Sequence, residues 1–188
     1  DDRLQSARLA KDLSSVTEAV MLLGTSFSFV HFIDYCKKEG VHLTLPAGSR
    51  LMDTGGFKGK SREVPQAWIY ELAEKYWGIS PEYCINEYGM SELSSQFYDG
   101  IAGIAAPRIY IAPPQLKTRI LSPQTLKPLP DGEIGLLAHT DLANIDSVAA
   151  ILTEDLGRKI EGGFLLSGRA SDAERKGCSI TMDELLEK

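Results

Sequence analysis

Three segments combine reactive side chains with open backbone in patterns that could carry chemistry. The first is Thr54-Gly55-Gly56-Phe57-Lys58-Gly59, which follows a strand-like run and precedes a helical one. Paired glycines let a main chain pass close to a ligand with no Cβ in the way. In an open sheet, ligands bind outside the carboxyl ends of strands, where such a loop sits. The pattern is neither Gly-x-Gly-x-x-Gly nor a Walker loop, so a plain turn is an equal reading of these residues alone. The second segment is Asn86-Glu87-Tyr88-Gly89-Met90-Ser91-Glu92. Tyr88 offers a flat face beside the open backbone of Gly89, and the Ser91 hydroxyl can reach a phosphate. Glu92 can hold Mg²⁺, which takes one or two carboxylates plus substrate phosphates. The structural alternatives are Tyr88 at a core edge and Glu92 in the first turn of a helix. The third segment pairs Thr153-Glu154-Asp155-Leu156-Gly157-Arg158 with Gly162-Gly163-Phe164-Leu165-Leu166-Ser167-Gly168-Arg169-Ala170-Ser171-Asp172. Asp155 can accept two hydrogen bonds from the vicinal hydroxyls of a ribose. Arg169 can meet phosphate or ribose as a fork-shaped donor.

Other reactive side chains point to less. His31, His42 and His139 share no metal-ligand spacing, and His31, with Phe29, Val30, Phe32 and Ile33 around it, is expected to be a core histidine. No Gly-x-Ser-x-Gly elbow is present, so a serine hydrolase is unsupported. Cys36, in an apolar helical pattern, and Cys84, beside a strand, are expected in the core. The three cysteines form no Cys-x-x-Cys pair, so neither a zinc cluster nor a disulfide framework is indicated.

These loops need elements to position them. Leu4, Ala7, Leu9 and Leu13 recur at helical spacing. Residues 20–24 form a short apolar strand, and Thr25-Ser26-Phe27-Ser28 can cap a helix over about 29–39 closed by Gly40. Residues 41–45 and 49–54 read as two strands. Residues 61–77 read as a helix capped by Ser61 and ended by Gly78, leading through Pro81 to a strand near Asn86. The order strand, helix, strand, strand, helix, strand predicts α/β layers with parallel strands and helical crossovers. From Arg108 the texture changes. Residues 108–111, 116–121, 133–138 and 163–167 read as short strands between Pro- and Gly-rich turns. Residues 181–188 read as a capped helix. The predicted organisation is an α/β subdomain over 1–107, a β-rich subdomain over 108–172 and a short C-terminal segment over 173–188.

Composition narrows the class. The chain has 188 residues, 43% hydrophobic and 24% charged, which suits a globular domain and excludes wholesale disorder. Its net charge of −6 and lack of a basic block argue against nucleic acid. No apolar run reaches the roughly 18 residues of a membrane span. Asp1-Asp2-Arg3 does not resemble a signal peptide, so the expectation is a reduced, cytoplasmic protein.

Taken in order, Gly55-Gly56, Asn86-x-Tyr88-Gly89-x-Ser91-Glu92, Asp155-Leu156-Gly157-Arg158 and Gly163-Phe164-x-x-x-Gly168-Arg169-x-x-Asp172 resemble the AMP-forming adenylate ligases. That superfamily includes acyl-CoA synthetases, nonribosomal peptide adenylation domains and phenylacetate-CoA ligases. Within it, Thr54-Gly55-Gly56-Phe57-Lys58-Gly59 and Ile151-Leu152-Thr153-Glu154-Asp155-Leu156-Gly157 look most like the acyl-protein synthetases of bacterial fatty-acid reductase systems. The resemblance covers residues 19–179. It implies part of an adenylate-forming ligase fold, with ATP and Mg²⁺ bound. Tyr88 would flank adenine, with Gly55, Gly56 and Gly89 beside the nucleotide. Ser91, where the family usually has Thr, would contact the α-phosphate, and Glu92 would bind Mg²⁺. Asp155 would hold the ribose hydroxyls with support from Arg169, and Asp172 would be the hinge before a mobile C-terminal part. Gly24, Thr25 and Phe27 would line the acyl pocket, with Phe29 and Phe32 suited to an apolar one.

The departures are informative. No Ser/Thr/Gly-rich phosphate loop precedes Val20, so the chain looks like the C-terminal half of a longer protein. Few residues follow Asp172, and Lys176 and Lys188 are poor stand-ins for the superfamily's lid lysine. The acyl-protein synthetases are short at this end too, and they pass the acyl group to a cysteine near their own C-terminus. Gly177-Cys178-Ser179 stands there, preceded by Arg175 and Lys176, which can lower a thiol pKa. The other reading of Cys178 is a buried structural cysteine. The resemblance therefore implies activation of a carboxylic, and specifically fatty, acid by ATP, then transfer to a protein thiol, with an acyl-accepting reductase or transferase as partner. The rival readings are a CoA ligase whose missing parts lie outside this chain, and a non-catalytic ligand- or partner-binding domain.

Overall fold

The computed structural model describes residues 5–55 and 64–170. The chain divides into two compact units, Asp1–Tyr88 with Asp99–Pro107, and Gly89–Tyr98 with Arg108–Lys188.

The first unit contains helix α1 (Ser6–Ser14), strand β1 (Met21–Thr25), helix α2 (Ser26–Glu39), strand β2 (Arg50–Thr54), helix α3 (Gln66–Trp77), a 3₁₀ turn (Pro81–Tyr83) and strand β3 (Cys84–Tyr88). The three strands are parallel, with β2 between β1 and β3. Local chemistry sets the helix ends. Thr25 Oγ1 accepts a hydrogen bond from Ser28 N at 3.2 Å, an N-cap worth about 1 kcal/mol. Gly40 (φ 66°) and Gly78 (φ 72°) end α2 and α3 in the left-handed region, where a Cβ is unfavourable. The core lies where α2 and α3 meet the face of the sheet carrying Leu51 and Cys84. Phe32, Ile33 and Cys36 of α2 and Ile69, Ala73 and Trp77 of α3 are buried there. The Trp77 ring stacks 5.1 Å from Phe32, and its indole N–H donates to Cys36 Sγ at 3.5 Å. Burying one such large side chain is worth about 1.5–3 kcal/mol. The other face of β1 is uncovered among the described residues, with Met21 56% and Leu23 65% exposed.

One expected strand is absent. Residues 41–45 do alternate, with Leu43 and Leu45 buried and His42 and Thr44 exposed. Their amides, however, go to the end of α3: Leu43 N donates to Tyr76 O at 2.7 Å and Leu45 N to Trp77 O at 3.1 Å. The segment thus satisfies carbonyls that a helix C-terminus leaves without partners, rather than joining a ladder. The described part of α3 begins after Pro65; the expected cap Ser61 lies outside the described residues, as does the helix expected over 181–188.

The second unit is antiparallel. Strands β5 (Leu116–Leu121), β6 (Ile134–Asp141), β7 (Ala150–Ile160) and β8 (Gly163–Arg169) form one sheet in that order, and a two-residue strand β4 (Phe97–Tyr98) precedes them. The strand expected at 108–111 is reduced to two isolated bridges, Tyr110 to Phe164 and Tyr98 to Ile111. Strand β7, eleven residues long, covers what the sequence showed only as a binding segment. Phe97, His139 and Phe164 centre this unit's core, with ring centroids 5.0 Å apart for Phe97–His139 and 5.1 Å for Phe97–Phe164. Tyr110 stacks on Phe164 at 5.4 Å.

Candidate functional site

In the first unit, the nominated residues gather at the carboxyl ends of the parallel strands. The register sets Thr25 beside Thr54 and Thr54 beside Glu87, so Gly24-Thr25, Thr54-Gly55 and Glu87-Tyr88 end side by side. That edge is where open parallel sheets bind ligands. The Thr54 hydroxyl donates to Glu87 Oε2 and ties two of the ends together. Gly55 has φ 71° with nothing within 4 Å of an added Cβ. Its requirement for glycine is therefore conformational, not a close packing. Gly56 lies outside the described residues. Tyr88 is the last residue of β3, not a loop residue, and is buried.

The three acyl-pocket candidates have structural employment as well. Gly24 leaves an added Cβ 3.4 Å from the Phe29 ring. Thr25 caps α2, and half-buried Phe27 meets His31 edge-on at 4.5 Å. Phe29 and Phe32 are core side chains against Trp77. His31 is exposed on α2, contrary to the expected core histidine, because its helix position faces away from the sheet. The buried histidine is His139.

Sequence reasoning missed a buried polar cluster just beneath the strand ends. Asp53, 1% exposed in the middle of the sheet, accepts from Ser26 Oγ at 2.6 Å, Tyr70 OH at 2.7 Å and Asn86 Nδ2 at 3.0 Å. The Ser26 oxygen also lies 3.0 Å from the Gly55 carbonyl. Asn86 N in turn donates to Asp99 Oδ1 at 2.7 Å. One carboxylate thus fixes the start of α2, the middle of α3 and the ends of β2 and β3. The available signal was a carboxylate inside an apolar strand, Leu51-Met52-Asp53, which is seldom buried without partners. Cys36 and Cys84 are core residues as expected, and burial pushes the Cys36 thiol up, away from thiolate chemistry.

In the second unit, Gly89, Ser91 and Glu92 precede β4 in a loop, with Ser91 Oγ 3.2 Å from Glu92 Oε2 and both residues exposed. Glu92 is not in a helix. The loop is anchored from behind. Asn144 Nδ2 donates to Glu92 O at 2.8 Å, and Asn144 Oδ1 accepts from Ser94 N at 2.9 Å. Asp141 accepts from Ser95 N at 2.8 Å and from Ser95 Oγ at 3.0 Å. Burial pushes the Asp141 carboxyl up, but the donors of Ala143, Ser95 and Ser94 outweigh it and hold it below the usual carboxylate range. Among the described residues no group of three or more His, Cys, Asp or Glu could hold a metal ion. A lone exposed carboxylate beside a hydroxyl still fits Mg²⁺, which completes its shell with water and substrate phosphate.

The clearest pairing is Asp155 with Arg169. They are register partners across β7 and β8, and Arg169 Nε donates to Asp155 Oδ1 at 3.0 Å. The carboxylate side chain is 15% exposed and the arginine 67%, so an anion at a shallow surface is flanked by a donor that reaches solvent. His139 is buried beside this strand, its Nδ1 3.0 Å from Thr118 Oγ1. Burial lowers its pKa to about 4, against an opposing pull from the Asp155 charge. Asp172 and Cys178 lie outside the described residues.

Three comparisons bear on this arrangement. A family model described as acyl-protein synthetase, LuxE, matches residues 5–187. Among curated relatives, the chain is 24% identical over 202 residues to a long-chain-fatty-acid–luciferin-component ligase of Aliivibrio fischeri, covering 100% of this chain and 52% of the relative. It is 28% identical over 120 residues to the protein of the same name in Vibrio harveyi, covering 60% of this chain and 30% of the relative. The chain thus spans about half the length of the first relative and less of the second. Among solved structures, ATP-bound MatB from Rhodopseudomonas palustris superposes with TM-score 0.62 at 18% identity, covering 89% of this chain and 33% of that one. A long-chain-fatty-acid-CoA ligase from Archaeoglobus fulgidus gives TM-score 0.65 at 12% identity, covering 96% and 40%. The fold is that of adenylate-forming ligase domains. No described helix is long and apolar enough to cross a membrane.

Proposed function

This chain belongs to the acyl-protein synthetase family LuxE, and from that premise we propose that it forms part of an ATP-dependent enzyme that activates a fatty acid and passes it to a protein thiol. The observation that carries the reading is the Asp155–Arg169 pair, a part-buried carboxylate held at 3.0 Å by a solvent-reaching guanidinium. A carboxylate so placed can accept both hydroxyls of a ribose. The aligned ends of β1, β2 and β3 support it, since Gly55 and Tyr88 lie at the carboxyl ends of parallel strands, the edge at which open sheets bind ligands.

In the first half-reaction a carboxylate oxygen of the fatty acid attacks the α-phosphorus of ATP. The bond from the α-phosphorus to the α,β-bridging oxygen breaks, and pyrophosphate leaves with that oxygen, giving the acyl adenylate. Tyr88 flanks adenine, Gly55, Gly56 and Gly89 leave room for the nucleotide, and Ser91 donates to the α-phosphate. Glu92 would hold Mg²⁺, which would offset the negative charge of the phosphates. The protein's share is mainly positioning and electrostatics. In the second half-reaction the Cys178 thiolate attacks the acyl carbonyl, a carbon–sulfur bond forms, and AMP leaves with its oxygen. Gly24, Thr25 and Phe27 flank the acyl chain. The long-chain fatty acid is taken from the names of the two curated relatives. An acyl-accepting reductase or transferase then takes the thioester, and we place the whole reaction in the cytoplasm.

Fatty-acid-dependent exchange of labelled pyrophosphate into ATP tests the reading on the full-length protein. Exchange that needs the acid and falls at least about tenfold in Asp155→Ala is the expected result. Exchange without acid, or unaffected by that substitution, refutes it. Discharge of the adenylate by CoA, unchanged in Cys178→Ser, would make the protein a CoA ligase instead.

A further inference from the structure

Strand β7 is irregular at the residue that matters most. Leu136 pairs with Leu156 and Ala138 with Leu152, so Thr153, Glu154 and Asp155 stand opposite Leu137 alone. This is a β-bulge, a device that re-aims a side chain and twists its strand. One hydroxyl closes it. Thr153 Oγ1 donates to Leu137 O at 3.0 Å and accepts from Asp155 N at 3.0 Å. The middle residue is held from the other side, Ala170 N donating to Glu154 O at 2.9 Å. The facing ladder slips as well: Leu156 pairs with Gly168 and Gly157 with Leu166, which leaves Ser167 as the additional residue of β8. Both irregularities lie within two residues of Asp155. A regular strand would give Asp155 a ladder partner on β6, and its amide would then need no side-chain acceptor.

We propose that Thr153 is a positioning residue whose hydroxyl closes the β7 bulge and so aims the Asp155 carboxylate at the ribose hydroxyls of the nucleotide. The proposal rests on the reading of Asp155 as the ribose acceptor. Thr153 itself touches no substrate. It acts through the amide of Asp155, and the Leu137 carbonyl fixes its rotamer.

The test compares affinity for ATP with affinity for 2′,3′-dideoxy-ATP on the full-length protein. The parent should prefer ATP by about tenfold or more, because the lost hydrogen bonds run to a charged acceptor. Asp155→Ala should erase that preference. Thr153→Val keeps the branched shape but removes the hydroxyl; it should cut the preference at least about fivefold and leave dideoxy-ATP binding unchanged. Thr153→Ser, which retains the hydroxyl, should restore it. If the valine variant does not fold, Thr153→Ala takes its place. A parent-like preference in the valine variant, with none in Asp155→Ala, overturns the positioning role alone. Equal weakening of both nucleotides in the valine variant also overturns it, because that is what a merely structural threonine would give. No preference in the parent overturns the ribose reading of Asp155, and the proposal with it.

Discussion

Acidification from about pH 7 to pH 5 should destabilise the folded chain by about 2 kcal/mol through one side chain, His139. Its ring is 1% exposed, packed against Phe97 and 3.0 Å from the Thr118 hydroxyl. Burial lowers its pKa from the usual 6.5 to about 4, while the Asp155 charge pulls the other way. The unfolded chain therefore takes up the proton first. The contribution of neutral His139 is complete above about pH 6.5 and is lost as pH falls toward about 4. The shift of about 2.5 pH units corresponds to about 3 kcal/mol, of which about 2 kcal/mol is lost by pH 5. Urea unfolding at both pH values, for the parent and His139→Gln, isolates this term from the carboxylates, which are common to both proteins. The parent should lose about 2 kcal/mol more than the variant over the interval. Equal losses would refute the claim that His139 is neutral and buried in the folded state.

Two further substitutions probe the scaffold of the site. Asp53→Ala leaves Ser26, Tyr70 and Asn86 without their common acceptor and should cost about 3 kcal/mol or more in chemical unfolding, against near-neutral behaviour if the cluster were solvated. Gly157→Ala places a Cβ 2.7 Å from Leu165 O and 2.9 Å from Leu137 Cδ2, so the β7–β8 backbone must shift. We expect a loss of about 1–3 kcal/mol in thermal unfolding, and an unchanged midpoint would show that the sheet yields there without strain.

Features decided by neighbouring residues were legible in the sequence. Gly40 and Gly78 as helix stops depend on chemistry within a turn and stand where expected, while the capping segment 25–28 resolves to Thr25 alone and α2 starts at Ser26, three residues before the expected start. Strand β5 was bounded by prolines on both sides and matches residue for residue. Features decided by distant partners were not legible. Residues 41–45 alternate like a strand, but alternation does not say that their amides meet carbonyls of α3. Strand β7 hid behind its own bulge, which breaks the period of two just where Glu154 and Asp155 add charge. The Asp53 cluster joins residues 17 to 33 positions apart, and no local pattern announces it. His31 looked buried because apolar residues flank it in sequence, yet helical periodicity turned it outward. The order of the glycine and acidic motifs was visible from sequence, but that Asp155 and Arg169 stand side by side follows only from the register of β7 and β8.

The most direct measurement is mass spectrometry of the full-length protein after incubation with ATP, Mg²⁺ and a long-chain fatty acid, with released pyrophosphate followed in the same reaction. A hydroxylamine-labile acyl adduct on Cys178 is the expected result. Cys178→Ser should abolish the adduct while pyrophosphate release continues. An adduct mapped to another residue, or acyl transfer that persists in Cys178→Ser, would contradict it.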